Sequence, residues 1–231
     1  MMVINPSHIL FEDNHLLIYN KQPGEIVQGD KTGDEPLSEK LKKYIKDKYH
    51  KPGDVYLGVV HRLDRPVSGA LMFARTSKAL MRLNQMLQDG TIRKTYWAVT
   101  ATLPPKESDH LVHYLVRNEK QNRSYVHDTF TDGAKRAELT YQLRMTSDRY
   151  YLLEISLHTG RHHQIRAQLS KIGCPIKGDL KYGSQRSNSD GSIHLHSRII
   201  EFIHPVRKEA VMIVADPPVD PVWDHFLNHT Q

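Results

Sequence analysis

The run His61-Arg62-Leu63-Asp64-Arg65-Pro66-Val67-Ser68-Gly69 sets one carboxylate between two guanidinium groups and then turns at Pro66 and Gly69. Apolar residues flank it, Val55 to Val60 before and Ala70 to Ala74 after. Asp64 is therefore expected on a turn between two strand-like segments, where backbone can hold a side chain over a cleft. A carboxylate in a dry pocket tends to protonate, and a nearby guanidinium opposes that. An ionised Asp so held can serve as a nucleophile or a base. An Arg-Asp-Arg turn is also a common surface ion-pair arrangement, so these residue types alone leave both readings open.

Three further clusters carry chemical groups: Arg93-Lys94-Thr95-Tyr96, which places an aromatic among cations; Thr159-Gly160-Arg161-His162-His163-Gln164-Ile165-Arg166; and His194-Leu195-His196 with Phe202-Ile203-His204-Pro205. They are expected to converge with Asp64 on one cleft. The chain has 15 His residues, which raises a metal site. Yet His194 and His196 share a strand face, His162 and His163 precede a helix, and no Cys or ladder of acids stands near either pair, so no metal is expected. Cys174, after Gly173 at a helix end, reads as packing rather than as a nucleophile.

The elements that must position these groups can be read from periodicity. Ile9-Leu10-Phe11 and Leu16-Leu17-Ile18-Tyr19 form a hairpin around Glu12-Asp13-Asn14. Leu37, Leu41, Tyr44 and Ile45 recur at helical spacing and predict an amphipathic helix over 36–49. Thr76 or Ser77 caps a second helix with a stripe of Leu80, Leu83, Met86 and Leu87, ended by Gly90. Residues 94–102 alternate as a strand, and 136–157 give two strands around Thr146-Ser147-Asp148. A third helix begins near Gly160 and stops at Gly173. Ile193 to Ile203 and Ala210 to Val214 are closing strands, while 117–135 and 183–192 read as polar, mobile loops. Strands outnumber helices and most are joined by short turns, which predicts an α+β fold on a mixed, mostly antiparallel sheet with flanking helices. No Gly-rich loop has dinucleotide or nucleoside triphosphate spacing.

With 231 residues and 39% hydrophobic content, the chain can bury one large core or two small ones. No apolar run approaches the ~20 residues of a membrane span, and Met1 to Pro6 lacks the pattern of a signal peptide. One Cys in the whole chain suits a reducing cytoplasm. The net charge is +6. It is concentrated in residues 61–100, with seven Lys and Arg against two acids, and in 158–186, with six against Asp179 alone. Basic charge gathered around the candidate site points to a polyanionic partner, nucleic acid first.

The order of motifs resembles the RluA-type RNA pseudouridine synthases over nearly the whole chain. Lys21-Gln22-Pro23-Gly24 is similar to the family's first motif, and His61 to Arg65 with Ser68-Gly69 to its catalytic signature. Arg93-Lys94-Thr95-Tyr96-Trp97-Ala98 resembles its aromatic motif. Thr159 to Arg166, then Pro175-Ile176-Lys177-Gly178-Asp179 and Tyr182-Gly183, resembles the third. Leu195-His196 with Phe202 and His204-Pro205 resembles the last. Val67 stands where the family usually has Thr, and Gln168 where a His often follows the Arg.

The resemblance implies a pseudouridine synthase fold with a central RNA-binding cleft, and the conversion of uridine in RNA to pseudouridine without a cofactor. Asp64 would be the catalytic residue, either a nucleophile at the anomeric carbon or a base on the 2′ hydrogen. Arg166 would be its charge partner, Tyr96 would stack on the uracil, and Arg62 would fill the space left by the flipped base. The first motif begins by Lys21, so 1–231 is expected to be a single catalytic domain with no separate N-terminal RNA-binding domain. The expected partner is a tRNA or rRNA stem-loop, read directly and helped by the 117–135 loop, with no membrane and no obligate protein partner for a cytoplasmic monomer. Two rivals stand beside this reading: a non-catalytic RNA-binding module, and a metal-dependent hydrolase or nuclease using the His cluster.

Overall fold

The computed structural model describes residues 4–29 and 33–229. The signal-peptide reading of the first six residues thus falls partly outside the described residues. In chain order the elements are β1 (Ile9–Glu12), β2 (Leu16–Lys21), α1 (Leu37–Lys48), β3 (Gly58–Val59), β4 (Ser68–Ala74) and α2 (Ser77–Gln88). They continue with β5 (Arg93–Thr100), β6 (Ser108–Asn118), β7 (Arg123–His127), β8 (Lys135–Thr146) and β9 (Tyr151–Leu157). The last are α3 (Gln164–Lys171), β10 (Leu195–Ile203), β11 (Ala210–Val214) and α4 (Pro221–His229). Two compact units divide them.

The first unit takes in the described residues up to Ile92 and Ser197–Asp216. Its strands run in the order β1-β2-β4-β10, with β11 on β10 and β3 on β4. The β1–β2 hairpin is closed by Asp13, whose Oδ1 accepts the backbone N–H groups of His15 and Leu16 at 2.7 and 2.8 Å. Residues of β2 and β4 pair antiparallel from Leu16 with Ala74 to Lys21 with Gly69. Both strands are buried along their whole length, and Leu16–Tyr19 and Ala70–Ala74 read as continuous apolar runs rather than as alternation. Thr76 caps α2 through its side chain, which accepts the N–H of Ala79 at 3.1 Å. Leu83 is fully buried against Leu16, Met72, Ile200 and Phe202, with Leu80, Met86 and Leu87 beside it. The stripe read from spacing is the stripe that packs.

The second unit takes in Arg93–His196 and the described residues from Pro217 on. Its strand order is β5-β9-β8-β6-β7, and each of these pairings is antiparallel. One apolar cluster joins Trp97, Val99 and Leu152 to Trp223 and Phe226 of α4. Another joins Ala167 of α3 and Tyr182 to Leu115 and Ala137 of β6 and β8.

Three expectations change here. Residues 117–135 are not one loop, because β7 lies inside them, paired with β6 from Tyr114–His127 to Asn118–Arg123. An edge strand needs little apolar content, since most of its surface faces water, and its polarity hid it. The third helix starts at Gln164 and not near Gly160, because His163 adopts φ +54° and holds the chain out of the helix until then. The helix α4 lacks a long enough periodic run to have been read from sequence. Residues 183–192 do form a loop, but a pinned one. Asn188 accepts from Lys177 Nζ at 2.7 Å, and its amide contacts Ser192 Oγ at 3.1 Å and His194 Nδ1 at 3.0 Å. No helix among the described residues is long and apolar enough to cross a membrane.

Candidate active site

In the first unit, the residues around Asp64 form a turn fixed from beneath. The N–H of Val67 donates to Asp64 O at 3.0 Å, and that of Gly24 to Arg65 O at 2.9 Å. Leu63 is buried while Arg62 is exposed and Asp64 half-buried. Such alternation is that of an extended segment, with Arg62 and Asp64 on the side opposite Leu63. His61 Nε2 accepts the N–H of Met72 at 3.2 Å, which ties the approach to the turn onto β4. Arg65 sends its guanidinium to Asp34 at 2.7 Å in an exposed pair. That pair ties Arg65 to a residue 31 positions earlier in the chain.

Below the turn lies Lys21, fully buried. Its ammonium donates to three carbonyl oxygens: Val67 at 2.7 Å, Gln22 at 3.0 Å and Arg65 at 3.1 Å. Two of those carbonyls belong to the turn that carries Asp64. Burial pulls the Lys21 pKa down to about 8, against the opposing pull of the Glu25 and Asp64 charges. The sequence places Lys21 in the first motif but assigns it no role. A Lys placed where an apolar strand ends was the available signal, because a cation survives there only with several acceptors. Gly69 completes the turn with φ +116°, and a Cβ there would stand 2.4 Å from the backbone N and O of Ser197. Only glycine fits both constraints.

The second unit holds Tyr96 and Arg166. Tyr96 lies on β5 opposite Ile155, and only 5% of it is exposed. Its neighbour Trp97 is equally buried and donates through Nε1 to Glu154 at 3.3 Å. Arg166 sits on α3, buried, and makes a bidentate pair with Asp179, Nε to Oδ2 at 2.6 Å and Nη2 to Oδ1 at 2.9 Å. The guanidinium also lies over the Tyr182 ring, 5.1 Å from its centroid. Asp179 is the acid that sequence reasoning passed over. It stands alone among six cations in 158–186, which was the signal.

The segment before α3 is knitted to β8. Gln164 Oε1 accepts from Thr159 Oγ1 at 2.7 Å and from Arg161 N at 3.0 Å, while Gln164 Nε2 donates to Glu138 O at 3.0 Å. The two histidines stack at 3.7 Å between centroids. His162 Nδ1 meets Ser124 Oγ at 2.8 Å, and His163 Nδ1 meets Tyr182 Oη at 2.9 Å. His194 Nε2 lies 2.9 Å from Asp220 and stacks on Trp223. His204 is fully buried, its Nδ1 accepting the N–H groups of Val206 and Arg207. Among the described residues, no three His, Cys, Asp or Glu side chains are placed to hold a metal ion. Cys174 is buried, and burial pushes its thiol up to about 11, which makes it a poor nucleophile.

Comparison with known proteins bears on this arrangement directly. The sequence profile of the RNA pseudouridylate synthase family matches residues 15–171. Ribosomal large subunit pseudouridine synthase C of Buchnera aphidicola is 31% identical over 96% of this chain and 70% of its own length. The tRNA pseudouridine synthase C of Haemophilus influenzae is 29% identical over 95% of this chain and 96% of its own. Among solved structures, human RNA pseudouridylate synthase domain containing 4 aligns with a TM-score of 0.79 at 24% identity, over 97% of this chain and 93% of that one. The α+β fold with its mostly antiparallel strands is thus the pseudouridine synthase fold. The turn bearing Asp64 falls within the matched region, and the chain belongs to the RluA-type RNA pseudouridine synthases, isomerases that convert uridine in RNA to pseudouridine.

Proposed function

We propose that this chain isomerises specific uridines in a structured tRNA or rRNA, with Asp64 as the catalytic carboxylate and residues 1–231 acting as one catalytic domain. The bond from the anomeric carbon to the uracil nitrogen breaks, the uracil turns while bound, and a bond to a ring carbon replaces it. Substrate and product have the same atoms and the same oxidation state, so the reaction calls for no redox cofactor. Asp64 acts on the ribose, as nucleophile or as base. Arg62, on the same side of the extended segment, occupies the space the flipped uridine leaves, and offsets an unstacking cost of about a few kcal/mol. Tyr96 stacks on the uracil, and Arg166 keeps the reacting carboxylate charged.

The observation that carries this reading is the anchoring of the Asp64 turn. A buried ammonium with three backbone acceptors and a glycine in a backbone position closed to other residues hold one carboxylate in place. Surface ion-pair turns have no need of such support. The family match runs through both units, which supports their serving one activity. The basic stretches at 61–100 and 158–186 supply the phosphate contacts of an RNA partner. The proposal includes a cytoplasmic monomer without an obligate protein partner, and the single Cys174 is buried and free.

The test is Asp64→Asn, which keeps volume and removes charge and basicity. Tritium release from 5-tritiated uridine in RNA should fall by more than a thousandfold (about 4 kcal/mol in barrier), with RNA affinity within about twofold of wild type. Residual turnover within tenfold of wild type rejects Asp64. Mapping pseudouridine in cells with and without the gene identifies the RNA.

A further inference from the structure

Lys94 lies on β5 two residues before Tyr96, so both side chains leave the same face of the strand. It is half-buried, and among the described residues no hydrogen bond or ion pair reaches its ammonium. Three other enclosed cations among the described residues are matched by protein acceptors. Lys21 has its three carbonyls, Arg166 has Asp179, and Arg75 has Glu12 at 3.1 Å and Asp13 O at 2.6 Å. Burial pulls the Lys94 pKa down, with no carboxylate to oppose it.

The surroundings explain why no protein anion is present. Lys94 Nζ lies over Gly160, 3.7 Å from where a Cβ would stand. Gly160 belongs to the segment Thr159-Gly160-Arg161-His162-His163, which contains no acid. Arg93 and Arg161 are exposed cations beside it. A half-desolvated ammonium without a counter-charge costs stability, and the protein offers no compensation of its own. The missing anion has to arrive with a ligand. The substrate of this enzyme is a polyanion whose phosphodiesters flank every base, and a compact ammonium is a point-charge phosphate binder.

We propose that Lys94 binds a phosphodiester of the substrate RNA next to the target uridine, with Gly160 leaving room above the ammonium for the phosphate. The proposal rests on the reading of Tyr96 as the residue that stacks on the uracil, since the spacing of two residues on one strand face puts phosphate and base within one nucleotide of each other.

The experiment uses the full chain, its Lys94→Met and Lys94→Arg variants, and an RNA stem-loop that the wild type binds, with the candidate uridine in its loop. In separate RNAs a neutral methylphosphonate replaces the phosphate on the 5′ or the 3′ side of that uridine. Lys94→Met should melt no lower than wild type, because no protein partner is lost. It should bind the unmodified RNA about tenfold more weakly, as for a hydrogen bond to a charged group. The slope of log affinity against log salt should fall by about one. One methylphosphonate should weaken the wild type about tenfold and leave Lys94→Met unaffected, and Lys94→Arg should recover most of the binding. Additive losses at both positions, or unchanged affinity and salt slope in Lys94→Met, overturn the proposal. A lower melting temperature with unchanged RNA binding would make Lys94 a structural residue and also overturn it. Pseudouridine formation by the wild type on the unmodified RNA is scored separately. Its absence overturns the proposed activity, while the binding arms still decide Lys94.

Discussion

At the scale of single residues, the chemistry proposed for Asp64 depends on how that carboxylate is held. Lys21 does the holding, and its three acceptors need all three protons of a charged ammonium. Loss of one proton leaves a carbonyl of the turn or its neighbour unpaired. Since burial sets the Lys21 pKa at about 8, the single-turnover rate measured from pH 6 to 10 should decline on the alkaline side with a midpoint near 8. A flat profile across that range would mean that Lys21 stays charged or that the turn tolerates its loss. Stability has the opposite sign. Between about 8 and the ordinary 10.5, the unfolded chain binds the proton that the folded chain has released. Lys21 therefore contributes stability that grows as pH rises through this window and is absent below it. Activity falling while this contribution to stability rises is a combination that general alkaline unfolding does not produce.

At the scale of elements, one junction in each unit holds residues proposed to act. The first is the approach of β4 to β10 at Gly69. Gly69→Ala would put a methyl group 2.4 Å from the Ser197 backbone and force a side chain onto φ +116°. Overpacking of ~1–3 kcal/mol and ~1–2 kcal/mol of backbone strain add to about 3 kcal/mol. For a chain of this size that lowers the melting temperature by about 10 °C. A thermal scan reading within about 2 °C of wild type would show that the strand pair yields easily at this point. The second junction is α3 against the segment that holds Asp179. Removing one partner of a buried pair leaves the other charged and enclosed. Asp179→Ala should therefore cost about 3–5 kcal/mol in urea unfolding, more than an exposed acid such as Asp34. Equal small losses in the two variants would mean that Arg166 does not depend on Asp179. Neither junction was legible as such. The sequence shows Gly69 as part of a turn, but the requirement for glycine comes from the strand at 195–203. Asp179 was quoted within a motif without a role, because an acid 13 residues from its Arg gives no periodic signal.

At the scale of the whole molecule, the histidines are the test of class. A hydrolase or nuclease reading needs them free for a metal. His162, His163, His194 and His204 are instead occupied by Ser124, Tyr182, Asp220 and backbone N–H groups. Isomerisation needs neither a Lewis acid nor an activated water. Activity should therefore survive exhaustive chelation once the substrate RNA has been refolded in monovalent salt, with tritium release as the readout. Loss restored by zinc alone would move the chain to the metal-dependent class.

Much of this protein was determined by local sequence. The helices at Leu37–Lys48 and Ser77–Gln88 follow from apolar spacing and a Thr cap, and lie within a residue or two of where the spacing puts them. The strand at Ala210–Val214 and the hairpin of β1 and β2 were legible for the same reason: their patterns are set within a few residues. The ordered motifs were enough for the family, because five short patterns in sequence are specific where each alone is not. Tertiary structure decided what depends on residues distant along the chain. It buried Lys21 under a turn more than forty residues away, set Asp179 against Arg166, and left Lys94 without a counter-charge. It also made strands of β6 and β7, which pair with each other, β6 pairing with β8 as well. Local propensity is a property of neighbours in sequence. The pairing of a buried charge is a property of neighbours in space, and only the folded chain specifies those.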